Sequence, residues 1–313
     1  MNKDQRIFIA GHKGMVGSAI LRLLDAEKFS NLITADRSQL DLTSQIQVQD
    51  FFLKHTPDLV IIAAAKVGGI SANMKEPADF LFTNLAIQNN LFQASLSIGV
   101  KKIIYLGSSC IYPASCPQPM REEYLLTGPL EPTNEGYAIA KIAGLKMAQF
   151  FHQQYKMETV SFMPCNLYGT NDHFDLTRSH VLSALVRRFV DAVDDGLSEV
   201  TLWGTGVARR EFMHVDDLAR AVLQLESKLD SGSFINVGVG EDISILDLAH
   251  LIARETHYQG EILWDATKPN GMLQKLMDVS KMKSLGFLPA ISLQQGIEQM
   301  IRDYRGLKNT GKI

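Results

Sequence analysis

Tyr137 and Lys141 stand four residues apart in "YAIAK", and on a helix that spacing puts both side chains on one face. An ammonium beside a phenol favours the phenolate, so the pair has the makings of an acid or base working below the phenol's usual pKa of about 10. Ser108, in "GSSCIYP" at 107–113, follows the apolar run Ile103–Leu106. A serine at the end of a buried strand can hold a substrate oxygen and stabilise charge on it. Cys110, two places on, is either a small hydrophobe filling a gap or a further acid–base group that a plain reductase does not need. Helix-start residues, "EPTNEG", precede the tyrosine. A serine, a tyrosine and a lysine so arranged form a site constellation rather than one chance match.

A second group is built for phosphates. In "GHKGMVG", Gly11, Gly14 and Gly17 follow a short apolar strand and open a helix. The first glycine permits the tight turn, the second lets the backbone approach a pyrophosphate, and the third lets helix pack on strand. The helix N-terminus then favours the anion. Asp36 lies 19 positions after Gly17, where an acidic residue binds the ribose 2′-hydroxyl of NAD. Arg37 follows it and Lys13 sits in the glycine loop; two cations suit a 2′-phosphate. The weight of charge favours NADP(H), with Asp36 turned away or paired to Arg37.

The elements that must position these residues alternate. Apolar runs at Ile7–Ala10, Leu32–Ala35, Leu59–Ala65, Ile103–Leu106 and Thr159–Met163 read as buried parallel strands. Helix-length segments at 14–28, 43–56, 76–98 and 135–155 separate them. The rhythm predicts an α/β fold, a doubly wound parallel sheet of the Rossmann kind over 1–165. Beyond it, 166–313 reads mainly as a smaller α/β substrate-binding domain, the first domain regaining later segments. Helices are expected at 179–194, 216–228, 244–257 and 292–306, with short strands near 200–203, 233–237 and 261–264. Asp216 and Asp217 in "HVDDLARA" read as a capped helix start rather than a catalytic pair.

The 313 residues carry a net charge of −3 and 46% hydrophobic residues. That balance argues against a basic nucleic-acid-binding surface. No apolar run approaches the length of a membrane span, and the N-terminus enters a strand with no room for a signal-peptide core. Cys110, Cys116 and Cys165 form neither a disulfide framework nor a zinc pattern, so a reducing cytoplasm is expected, without a metal. Cys116 and Cys165 read as packing residues.

Taken together, "GHKGMVGSAI", "AAAKVGGI", "GSSCIYP", "EPTNEGYAIAK", "NLYG", "SHV" and "REFMHVDD" resemble the GDP-L-fucose synthase family of the extended short-chain dehydrogenase/reductases, along nearly the whole chain. The resemblance implies NADPH-dependent conversion of GDP-4-keto-6-deoxy-D-mannose: C3 and C5 are epimerised, then the C4 ketone is reduced. It implies Ser108, Tyr137 and Lys141 as the reductase triad, with Cys110 and His180 as the epimerisation pair. It extends the cofactor contacts from Gly11, Lys13, Gly14, Gly17 and Arg37 to Met15, Val16, Leu106, Gly107, Ser109, Lys141, Pro164, Asn166, Leu167 and His180. For the GDP-sugar it implies Arg188, Trp203, Arg210 and Asp278; Arg209 is a further cation nearby.

The chemistry agrees with that division. Protons on C3 and C5 are acidified by the C4 carbonyl between them. Inversion needs a proton taken from one face and returned to the other, hence two groups. A thiolate suits the first role and a histidine the second. The same frame serves related 4-keto sugars, such as a GDP-colitose precursor or GDP-heptoses. A dehydratase is disfavoured, since Cys110–Ile111 stands where those enzymes carry an Asp–Glu pair. Gly136 departs from the proline some members have before the tyrosine. Equivalent helices in related enzymes pair in a C2 homodimer, so 76–98 and 135–155 are expected at such an interface, with Asn89, Leu91, Phe92, Phe150 and Phe151.

Overall fold

The computed structural model describes residues 1–175, 179–268 and 270–311. Residues 176–178, Pro269, Lys312 and Ile313 lie outside the described residues. In chain order the first half runs β1 (Ile7–Ala10), α1 (Met15–Ala26), β2 (Leu32–Ile33), α2 (Gln45–His55), β3 (Leu59–Ile62), α3 (Ile70–Lys75), α4 (Pro77–Ile98), β4 (Lys102–Leu106), α5 (Glu135–Tyr155) and β5 (Glu158–Pro164). There follow β6 (Asn166–Tyr168), α6 (Val181–Asp194), β7 (Glu199–Trp203), β8 (Arg209–Arg210), β9 (Phe212–His214), α7 (Val215–Leu225) and β10 (Phe234–Val237). The chain closes with β11 (Ile243–Ser244), α8 (Ile245–Thr256), β12 (Glu261–Asp265), β13 (Gln274–Lys275), α9 (Ser280–Ser284) and α10 (Leu293–Asn309).

Six strands form the main sheet in the order β10-β5-β4-β3-β1-β2, every pairing parallel. The order reverses beside β1, and ligands of such sheets bind outside the carboxyl ends of the strands at that crevice. β1 and β3 are buried throughout, which is why their sequences are unbroken apolar runs rather than alternating ones. β10 reaches this sheet from far along the chain and pairs with β5. A second apolar core lies among α6, α8, α10, β7 and β12, built on Leu185, Phe189, Leu248, Ile252 and Met300. Small sheets β11-β8-β13, β12-β7 and β6-β9 surround it.

Two expectations need correction. The third strand stops at Ile62 rather than Ala65, because Ala64 abuts the Gly11 turn: a Cβ on Gly11 would lie 2.7 Å from the Ala64 backbone. Leu91 and Phe92 are not interface residues; both are 0% exposed in the main core. Phe150 is exposed as expected, and the same helix pair exposes Phe82 and Ile139. Among the described residues no helix is long and apolar enough to cross a membrane, and no cluster of acidic, histidine or cysteine side chains could hold a metal.

Candidate active site

β4 delivers Gly107 and Ser108 to the carboxyl edge of the sheet. Ser108 is extended, at φ −165°, and the chain then makes one tight turn over Ser109–Ile111. The Cys110 N–H donates to Ser108 Oγ at 3.3 Å, which fixes the serine side chain over the turn. Ser109 and Cys110 are buried, at 3% and 6% exposed. Gly107 has no side chain for a packing reason: a Cβ there would fall 2.2 Å from Met163 Sδ.

α5 brings the other half of the site. It lies close on β4, since a Cβ on Gly144 would meet the Tyr105 hydroxyl at 2.2 Å. Gln88 of α4 donates to the Ala140 carbonyl at 2.9 Å and accepts from the Tyr105 hydroxyl at 3.1 Å. These contacts set the rotation of α5, so Lys141 points to the strand end and donates from Nζ to the Leu106 carbonyl at 2.8 Å. Its ammonium is 5.7 Å from the Tyr137 ring centroid. The "AAAKVGGI" loop contributes by holding Phe80. Asn84 bonds both Lys66 backbone groups, and Phe80 meets the Tyr137 ring edge-on at 6.4 Å. The departure at Gly136 has a local cause: a Cβ there would lie 2.6 Å from the Pro77 carbonyl oxygen.

Electrostatics here differ from expectation. Tyr137 is not lowered by Lys141. Burial first, and the Cys110 thiol second, push the phenol up, with the Ser108 hydrogen bond pulling the other way. Lys141 is committed to a carbonyl, and burial lowers it to about 8. The phenol is therefore the neutral, proton-donating form. Cys110 is likewise raised by burial, opposed by the charge of Lys275, the Ser108 hydroxyl and Lys141 in that order. It rests as a thiol.

The glycine loop is a backbone cradle. Gly11 has φ +88°, Gly14 donates to the Gly11 carbonyl at 3.0 Å, and a Cβ on Gly17 would fall 2.2 Å from that same oxygen. Gly14 caps α1 without a side-chain bond, so the first N–H groups of the helix, beginning at Met15 and Val16, face outward. These are the features a pyrophosphate requires. Asp36 is paired to Lys13 at 2.9 Å rather than to Arg37. Its carboxyl lies well below the usual range, through Ser38 first and Lys13 second. Arg37 is exposed and makes no ion pair among the described residues. Pro164 ends β5 opposite Val237. Asn166 donates to the Glu211 carbonyl at 3.1 Å, and Leu167 pairs with Met213 in the next short strand.

His180 is exposed at the N-cap of α6. Its charge acts on Asp172, a carboxyl raised by burial and bonded by Ser183. In the second lobe, Arg188 donates to the Thr201 carbonyl at 3.3 Å, and Trp203 is 57% exposed with Lys268 over its ring. Arg210 reaches the Asn270 carbonyl at 3.4 Å, and Arg209 is tied to Asp242 at 2.7 Å. Asp278 is occupied elsewhere: it caps Ser280 and pairs with Arg121 at 3.4 Å. Asp216 pairs with Arg22, while Asp217 bonds Arg220 and accepts from Ala290 and Ile291 N–H; both are structural. Cys165 is buried and Cys116 partly so.

Sequence reasoning missed Lys275. β13 pairs with β8 so that Lys275 stands opposite Arg210. Neither cation has a carboxylate partner within ion-pair distance among the described residues. A lone lysine in "QKLMDV" carries no motif; only the strand register reveals it.

The fold is shared with known proteins. Residues 7–238 match the model of the NAD dependent epimerase/dehydratase family. GDP-L-fucose synthase 1 of Arabidopsis thaliana is 50% identical over 308 residues, 98% of this chain and 95% of its own. The GDP-L-fucose synthase of Escherichia coli K12 is 46% identical over 302 residues, 94% of each. A solved GDP-mannoheptose C4 reductase from Campylobacter jejuni with NADP bound superposes at TM-score 0.89, with 35% identity over 97% of this chain and 99% of that one. With a matching model over most of its length and relatives near half identity, the chain belongs to the NAD dependent epimerase/dehydratase family, on its GDP-L-fucose synthase branch.

Proposed function

We propose that this protein converts GDP-4-keto-6-deoxy-D-mannose to GDP-L-fucose, by inverting C3 and C5 and then reducing C4 with NADPH. The observation that carries the reading is the buried Cys110 thiol held by the same serine that bonds Tyr137. One turn thus supplies an epimerisation base and a carbonyl-binding hydroxyl. Bound NADPH supplies the hydride. The cradle of Gly11, Gly14 and Gly17 fits its pyrophosphate, with Met15 and Val16 at the helix mouth. Arg37 and Lys13 take the 2′-phosphate, and Leu106, Gly107, Ser109, Lys141, Pro164, Asn166, Leu167 and His180 line the nicotinamide side.

Ser108 and Tyr137 hold O4 and stabilise the enolate oxygen that forms when a proton leaves C3 or C5. Cys110 removes that proton as the thiolate. His180, arriving from α6, returns one to the opposite face. Tyr137, a neutral phenol, then protonates O4 as the ketone is reduced, and Lys141 fixes the strand end and supplies charge beside it. Arg188, Trp203 and Arg210, assigned by resemblance, with Lys275 added by the register, hold the nucleotide diphosphate in the second lobe. Asp278, assigned with them by resemblance, is held by Ser280 N–H and Arg121 and is left out of this set.

The free cysteines suit a reducing cytoplasm, and the exposed stripe Phe82, Ile139 and Phe150 suits a homodimer through α4 and α5. The test is incubation with NADPH and GDP-4-keto-6-deoxy-D-mannose, with the product's stereochemistry read by NMR. GDP-L-fucose is expected. A C4-reduced sugar with C3 and C5 unchanged would favour the simple reductase, the activity of the Campylobacter jejuni neighbour.

A further inference from the structure

Glu211 follows Arg210 in the chain and is 0% exposed. Among the described residues its carboxylate has only backbone hydrogen-bond partners: Gly240 N–H at 2.7 Å and Met277 N–H at 2.9 Å, with the Val239 N–H adding a third. Gly238 is bare because a Cβ there would lie 2.2 Å from Glu211 Oε1. One side chain therefore joins three segments: the β8–β9 junction, the turn after β10, and the strap carrying Lys275. The strap's other side is tied to the segment after Cys110, through Met120 N–H to the Leu276 carbonyl at 2.7 Å and Leu276 N–H to Gln118 Oε1 at 2.8 Å.

We propose that Glu211 is a positioning residue: by holding residue 277 against the β8–β9 junction, it fixes the spacing of Arg210 and Lys275 and so sets affinity for the diphosphate of a GDP-sugar. This rests on the reading of the cleft as a GDP-sugar site. Adjacent strands are about 4.8 Å apart, which places two cations to straddle one diphosphate. A carboxylate is the right clamp because it only accepts. A protonated carboxyl, or an amide, turns a donor toward buried N–H groups that then lose their partner.

Burial pushes this carboxyl up to about 7, against the three N–H groups that pull it down. The titratable groups facing it are Cys165 from the end of β5 and Asp242 ahead of β11, the latter paired with Arg209. Lys275 on β13 acts on the same Cys165. The clamp is closed above neutral pH and loosens below it.

The experiment is GDP binding by calorimetry to the NADP-saturated protein at pH 6 and pH 8, for wild type and Glu211→Gln, with melting temperatures alongside. GDP's own phosphate titration affects both proteins equally. Wild type should weaken about tenfold more than the variant between pH 8 and pH 6, and the variant should already bind weakly at pH 8 with NADPH affinity unchanged. A variant that tracks wild type within about twofold at both pH values overturns the clamp. Failure of wild type to bind GDP at either pH overturns the GDP-sugar reading itself. If Glu211→Gln does not fold, the wild-type profile decides: no pH dependence beyond that of GDP refutes the proposal.

Discussion

Replacing Cys110 with serine separates epimerisation from reduction. The thiol is 6% exposed, in a turn pinned by its N–H to Ser108 Oγ, and burial lifts it above its ordinary value. An unperturbed thiol near 8.5 is about 3% thiolate at pH 7, so the folded protein holds less. Proton removal from the sugar then waits on a thiolate pre-equilibrium, and below the folded pKa each unit of rise in pH multiplies the active fraction about tenfold. In deuterated water at saturating NADP+, label entering C3 and C5 should therefore rise about tenfold per pH unit between pH 6 and pH 8. Serine keeps the size and the hydrogen bond and removes the accessible thiolate. In Cys110→Ser the exchange should fall at least about 10²-fold and lose that slope, while stability drops by about 1–2 kcal/mol for a buried hydroxyl. Hydride transfer to a 4-ketone that needs no inversion should persist, since Ser108, Tyr137 and Lys141 are unchanged. Mass spectrometry of the labelled sugar reads the rate. Wild-type exchange at both carbons in the variant would show that the cysteine only packs.

Tyr137→Phe should lower reduction by at least about 10²-fold through loss of the O4 proton donor, with NADPH affinity nearly constant; turnover near wild type would exclude the assignment. Arg37→Ala should weaken NADPH by about 1.5–3 kcal/mol and leave NADH alone. Adding Lys13→Ala removes the partner of Asp36, so the double variant should gain NADH affinity; a wild type that prefers NADH refutes both. Phe82→Glu with Phe150→Glu should convert a dimer to a monomer in sedimentation at micromolar concentration, and a wild type that sediments as a monomer excludes the interface.

Much of this protein was legible as spacing. Gly11, Gly14 and Gly17 announce their turn because steric exclusion is local: the atoms they avoid belong to the same loop and its neighbouring strand. Tyr137 and Lys141 share a face because helix geometry dictates it, and the buried strands are unbroken apolar runs because both their faces are covered. What needed the tertiary structure was anything decided by competition between distant groups. Lys141 stands beside Tyr137 as its spacing predicts, yet burial dominates, and both the phenol and the Cys110 thiol rise. Asp36 has two candidate cations within reach in the chain, and only the fold of the glycine loop selects Lys13. Leu91 and Phe92 look like surplus apolar surface on a long helix; the rotation of α4, set by Gln88 and Asn84, turns them into the core. Lys275 and Glu211 carry no pattern at all. The place of Lys275 beside Arg210 follows from a two-residue strand, and the partners of Glu211 from three backbone hydrogen bonds made across far-separated segments; such contacts leave no period in a sequence.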